Sequence, residues 1–110
     1  MPTLLLTTRG AKSGRLHTTP LVYTRDEETL IVIASKGGSP THPDWYHNLV
    51  ANPRVTVEVG AETFEARASV LQGEERRRAF DLQAAAMPFF AEFEKKTPRQ
   101  IPVIALKRVP

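Results

Sequence analysis

Along much of this chain hydrophobic and polar positions alternate with a period of two, the signature of strands buried on one face. Thr3 to Thr8 is a leucine and β-branched run that ends at Arg9-Gly10. Apolar residues return over His17 to Thr24, with Leu21, Val22 and Tyr23 as the apolar part, and Thr29 to Ala34 reads as a buried strand. Arg54 to Val59 puts Val55, Val57 and Val59 on one side and Thr56 and Glu58 on the other. Glu62 to Leu71 alternates again through Phe64, Ala66, Ala68 and Val70. Ile101 to Leu106 is the last strand, and Pro102 places it at an edge or at its own start. Gly10-Ala11-Lys12-Ser13-Gly14 and Asp26-Glu27-Glu28 are turns.

Two stretches change to helical spacing. Pro43 and Asp44 suit a first helical turn, Trp45 and Leu49 share a face, and Asn52-Pro53 stops that helix. Gly73 to Met87 is a second helix, expected to turn Arg76, Arg77 and Arg78 to water and Phe80, Leu82 and Ala86 inward. Pro88 breaks it, and Phe89, Phe90 and Phe93 gather on a further short helix. Hairpin following hairpin argues against a doubly wound parallel sheet. About six strands with short helices outside predict a mainly β (α+β) domain, a small antiparallel β-barrel that is closed or nearly so.

The 110 residues make one domain, spanning 1–110, near the low end of sizes that fold unaided. Cysteine is absent, which removes disulfides, thiolate catalysis and cysteine-bound metals and fits a cytoplasmic location. No run approaches the roughly 18 apolar residues of a transmembrane segment, and Leu4-Leu5-Leu6 is too short for a signal sequence. His42 and His47 lack metal-ligand spacing with other candidates, so no metal site is expected.

Charge sharpens the picture. Met1 to Arg25 holds no acid but carries Arg9, Lys12, Arg15 and Arg25, which points to an anionic partner. No aromatic residues interleave with these bases and no reading motif accompanies them, so a small phosphorylated ligand fits better than nucleic acid. Ala34-Ser35-Lys36-Gly37-Gly38 leads from a strand towards the helix that begins after Pro43. Bare backbone amides, a lysine and a helix start make an anion cradle, although an ordinary strand-to-helix loop would also read this way.

Two blocks together carry a family resemblance. One runs from Leu4 through Thr7-Thr8-Arg9-Gly10-Ala11-Lys12-Ser13-Gly14-Arg15-Leu16-His17 to Thr19-Pro20-Leu21. The other runs from Ala34-Ser35-Lys36-Gly37-Gly38 through Pro43-Asp44-Trp45-Tyr46-His47-Asn48 to Asn52-Pro53. In this order the chain resembles the deazaflavin-dependent nitroreductase family, split β-barrel oxidoreductases. The resemblance implies reduced coenzyme F-420 (an 8-hydroxy-5-deazaflavin) as hydride donor. An electron-poor acceptor would receive the hydride: an activated alkene, a quinone or a nitroaromatic.

By the same resemblance Lys12 and its loop, with Arg15 and His17, would meet the anionic tail or the phosphate of the cofactor, and Lys36, Gly37 and Gly38 would hold the phosphate beside Trp45 and Asn48. Thr19, Pro20 and Leu21 flank the ring with Ala34 and Ser35. Ser35 and Tyr23 are candidate proton donors. Val22, Met87, Phe89, Phe90 and Phe93 form an apolar substrate wall, for which core packing is the plainer account. Flavin mononucleotide on the same barrel is the alternative cofactor, and a non-catalytic carrier or sensor the alternative role. A homodimer is compatible with such a barrel.

Overall fold

The computed structural model describes residues 1–110. Its strands are β1 (Thr3–Arg9), β2 (Leu16–Val22), β3 (Thr24–Asp26), β4 (Thr29–Ile33), β5 (Arg54–Val59), β6 (Glu62–Val70) and β7 (Val103–Arg108). All pair antiparallel in one sheet of order β2-β1-β5-β6-β7-β4-β3. The two outer strands of that order, β2 and β3, are consecutive in the chain and separated only by Tyr23. The sheet therefore curls until its edges meet at this residue, whose amide donates to Pro2 O at 3.1 Å.

That junction accounts for seven strands where the alternation predicts six. His17 to Thr24 reads as one strand, but its first part ladders with β1 and its continuation with β4. Pro102 lies just ahead of β7, an inner strand between β6 and β4, so the strand-start position is the one it takes.

Alternation sorts the side chains into two cores. Leu4, Leu6, Leu30, Val32, Val55, Val57, Val59, Ala66, Ala68, Ile104 and Leu106 fill the barrel, and helix α1 (Asp44–Ala51) adds Trp45 and Leu49. The opposite face of β4 and β7 presents Ile31, Ile33, Val103 and Ala105 to Phe80, Met87 and Phe90, which come from helices α2 (Gly73–Ala86) and α3 (Phe89–Lys96) and the two-residue link between them. Each fully buried leucine or valine contributes about 1.5–3 kcal/mol of apolar transfer.

Helix α2 turns a different stripe inward from the one expected. Arg76, Ala79, Phe80 and Gln83 are buried, while Leu82 is 43% exposed and Ala86 faces water. Once Phe80 points inward, the helical period carries burial to positions three and four away, and Leu82 falls outside that stripe. Arg76 stays inside because Nε and Nη2 donate to Ile101 O at 3.1 and 2.7 Å. Arg77 and Arg78 remain at the surface, as expected.

Candidate functional site

The curl leaves a split in the barrel. Thr24 pairs with Ile31, but the residues before Tyr23 turn to β1 instead of continuing along β4. The outer edge of β2 and the end of β4 thus face each other without a ladder, diverging from Tyr23. Extending the register across the gap sets Leu21 opposite Ala34 and Pro20 opposite Ser35. These are the segments expected to flank a flat ring.

Within β2, alternation divides the candidates. His17, Thr19 and Leu21 stand beside Thr8, Leu6 and Leu4 and share their barrel-side face, whereas Pro20 stands beside Leu5 on the opposite, exposed face. The Pro20 ring therefore does not line the barrel side of the split; only its backbone borders it. Val22 packs towards the helices and Tyr23 towards the barrel core, so neighbouring residues serve opposite faces.

At the open end of the split lies the cradle. Ser35 is right-handed (φ −77°, ψ −36°), and Lys36, Gly37 and Gly38 follow at φ 48°, 63° and 82°. A right-handed residue followed by a left-handed one turns successive amides towards a common point, an anion nest. The amides of Ser35, Lys36 and Gly37 donate to no acceptor within the protein, whereas those of Gly38 and Ser39 close the turn on Ser35 O and Lys36 O. Ala34 N bonds Pro102 O at 2.9 Å on the β7 side, so strand alternation aims the next amide, Ser35, at the split. A lysine in the left-handed region costs about 1 kcal/mol, and such strain clusters at functional sites.

Gly38 cannot be replaced without cost. A Cβ there would lie 3.1 Å from Lys96 Cβ and 3.2 Å from Phe93 O. The cradle consequently packs directly on α3, and Lys96 Nζ donates to Gly37 O at 3.4 Å.

The other wall belongs to the turn after β1. Gly10, Ala11, Lys12, Ser13, His17, Asp44, His47 and Asn48 line a groove of about 620 Å³. A Cβ on Gly10 would fall 2.6 Å from Ser13 Oγ and 3.2 Å from His17 Nε2, so a larger residue there would require these side chains to shift. Asn48, although buried, is committed to shaping this wall. Its Oδ1 accepts from Ala11 N at 3.0 Å and its Nδ2 donates to Thr8 Oγ1 at 3.2 Å. Trp45 is a barrel-core residue.

Not every predicted base converges here. Lys12 lines the groove, but Arg9 Nη1 is spent on Gly14 O at 2.8 Å. Arg15 is exposed and outside the lining, and Arg25 lies at a separate depression with Glu28, Glu62 and Arg108.

Arg99 and Lys96 were not legible as site residues. Arg99 donates to Ser39 O (2.9 Å), Ala34 O (3.2 Å) and Ser35 O (2.7 Å), and contacts His42 Nδ1 at 2.9 Å. One guanidinium therefore holds the carbonyl side of the cradle loop and leaves its amides as the unspent groups. Because arginine only donates, His42 Nδ1 accepts and the ring is neutral, protonated on Nε2. Burial, then the charge of Arg99 and then His47, holds the His42 pKa below its ordinary value. Burial also lowers that of Arg99, which stays charged.

The apolar wall divides as well. Met87 and Phe90 are core residues, while Phe89, Phe93 and Val22 keep partial exposure around them. Phe89 and Phe93 meet edge to face, their ring centroids 5.5 Å apart. Tyr23 is level with Val32, three residues from Ser35, which separates their backbones by about 10 Å along the strand. The two candidate donors thus belong to different depths of the split.

A long anionic ligand with a flat ring fits this donor set: a slot between strand edges, three free amides with Lys36 at its mouth, and Lys12 further out. Residues 1–108 match the family model of the F420H(2)-dependent quinone reductases. The chain is 40% identical over 110 residues to the F420H(2)-dependent quinone reductase Rv1261c of Mycobacterium tuberculosis, covering 97% of this chain and 74% of that one. Among solved structures, an F420-H2 dependent reductase (FDR-A) superposes with a TM-score of 0.89 at 42% identity, over 96% of this chain and 94% of the other. A second, described as a domain-swapped dimer, gives the same score and identity over 96% and 80%.

The chain belongs to the F420H(2)-dependent quinone reductase family. It is an oxidoreductase of the split-barrel fold whose cofactor is coenzyme F-420. No helix is long and apolar enough to cross a membrane.

Proposed function

We propose that this protein reduces a quinone to its quinol with coenzyme F-420 as donor, and that the split between β2 and β4 is where it does so. The observation that carries the assignment of place is the run of three unspent amides at Ser35, Lys36 and Gly37, which opens onto that split. A related reductase from Mycobacterium tuberculosis, named for quinones, supports the choice of acceptor.

Lys36 and the three amides grip the phosphate, and Lys12 and His17 meet the tail. Asn48 holds the turn that carries Lys12 in place. Leu21, Thr19 and Ala34 border the ring, and Phe89, Phe93 and Val22 offer the acceptor an apolar surface. When bound, the reduced deazaflavin supplies two electrons and one proton as hydride. The chain's part is to align donor and acceptor within about 3–3.5 Å and to exclude water from the ring. The second proton of the quinol comes from solvent or from the Ser35 hydroxyl at the split.

The test is anaerobic turnover of the reduced deazaflavin with a simple benzoquinone. A nitroaromatic and an enone are run alongside, as is reduced flavin mononucleotide as donor. Quinone-dependent oxidation of the deazaflavin supports the proposal; oxidation with no quinone, or only with the flavin, refutes it.

We also infer that the protein forms a homodimer. The outer face of β1 and β2 carries exposed Leu5, Leu16 and Pro20 with no helix over it, and a relative of 42% identity is a dimer. Light scattering at the mass of one chain would refute this.

A further inference from the structure

Buried guanidinium groups are almost always paired with a carboxylate. Arg76 is 6% exposed, yet its near neighbour Glu94, 3.9 Å away, is already held by Arg77 at 2.9 and 3.2 Å. Arg77 takes Asp81 as well, at 2.7 Å. Arg99 is half-buried and bonds only carbonyl oxygens and a neutral imidazole. Arg76 therefore shares its one carboxylate with Arg77, the partly buried Arg99 has none, and both arginines line one groove of about 320 Å³.

The remaining walls of this groove suit an anion. Gln72 and Gln100 supply carboxamide donors, Tyr46 a phenol and His42 an imidazole, over a floor of Val70, Leu71 and Pro102. No carboxylate is among its lining residues. Arg76 commits Nε and Nη2 to Ile101 O, which leaves Nη1 free of any hydrogen bond. Burial and then the charge of Arg77 push the Arg76 pKa down while Glu94 and Asp81 push it up, and burial lowers that of Arg99.

We propose that this groove binds a compact doubly charged oxyanion, a phosphate or a pair of carboxylates, between Arg76 and Arg99. The site is distinct from the cofactor split. It lies behind the cradle loop, on the side where Arg99 holds the carbonyl oxygens of Ala34, Ser35 and Ser39, whereas the loop's free amides serve the split. Planar guanidiniums match either oxyanion in a bidentate fashion. Inorganic phosphate and malonate distinguish the two sources.

Thermal unfolding of the cofactor-free protein tests the site. Sodium phosphate or sodium malonate is titrated against sodium chloride of equal ionic strength. At tenfold the dissociation constant the midpoint should rise by about 5 °C. The rise should persist in Lys36→Gly, which weakens the cradle, and vanish in Gln100→Glu, which puts a carboxylate into the groove at an exposed position. A rise with only one anion identifies which source the groove takes. No rise with either anion overturns the proposal. So does a rise that Gln100→Glu retains, or one that Lys36→Gly abolishes, since the latter would place the anion in the cradle.

Discussion

Arg99 Nη2 donates to Ser35 O at 2.7 Å and so fixes the carbonyl side of the residue whose amide opens the cradle. With its bonds to Ala34 O and Ser39 O, this side chain from the segment before β7 sets the shape of a loop some sixty positions earlier. Lysine has one charged nitrogen and cannot reach three carbonyls in a fork. Arg99→Lys should therefore weaken binding of coenzyme F-420 by about tenfold or more, a loss of roughly 1.4 kcal/mol for each factor of ten. Quenching of Trp45, the single tryptophan, reads the change. Unaltered affinity would show that the loop holds its shape without the guanidinium.

His42 is kept neutral in the folded protein, its pKa held below the ordinary 6.5. The unfolded chain takes up that proton first, so His42's contribution to stability is complete above about pH 6.5 and declines as pH falls below it. Urea midpoints at pH 7.5 and 5.5 should drop more for the wild type than for His42→Gln. His17 and His47 are common to both proteins, so the difference isolates His42. Parallel pH profiles would contradict the neutral assignment.

Gly37 and Gly38 both have positive φ, but only Gly38 also has neighbours in the way. Gly37→Ala should cost about 1 kcal/mol, the ordinary penalty of the left-handed region. Gly38→Ala should cost more, because Phe93 O is backbone and cannot yield as a side-chain tip does. Melting temperatures in that order support direct packing of the cradle on α3. Equal losses would not.

Phe80 is 1% exposed and Leu82 43%, although both were expected to point inward. Phe80→Ala should cost about 3–5 kcal/mol, while Leu82→Glu should stay within about 0.5 kcal/mol. Denaturant unfolding of the two variants decides which stripe of α2 faces the sheet.

The same helix shows where sequence pattern runs out. Strands β5 and β6 were legible because one face is buried and the other wet, so alternation survives as a signal. The phase of α2 was not, because its inward stripe includes Arg76 and Gln83, which hydropathy assigns to water. Arg76 is inside only because Ile101 O, on another segment, accepts from it. The break at Tyr23 was hidden for a related reason. Nothing in an alternating run says that its two halves will pair with different strands, yet that division opens the split.

Lys12, His17, Asn48 and the cradle were named from the paired sequence blocks, and the structure brings the first three into one groove. Pro20 was grouped with Thr19 and Leu21, but strand alternation sends its ring to the opposite face. Arg99 and Lys96 left no local signal, since their partners lie about sixty residues away in sequence.

Lys36→Gly separates the cradle's chemistry from its fold. Glycine accepts φ near 48° without strain, so the variant should melt no lower than the wild type. Calorimetric titration of coenzyme F-420 should nevertheless show at least tenfold weaker binding, because the lysine charge beside the three free amides is gone. If the variant folds and binds the cofactor as tightly as the wild type, the phosphate is held somewhere other than this loop.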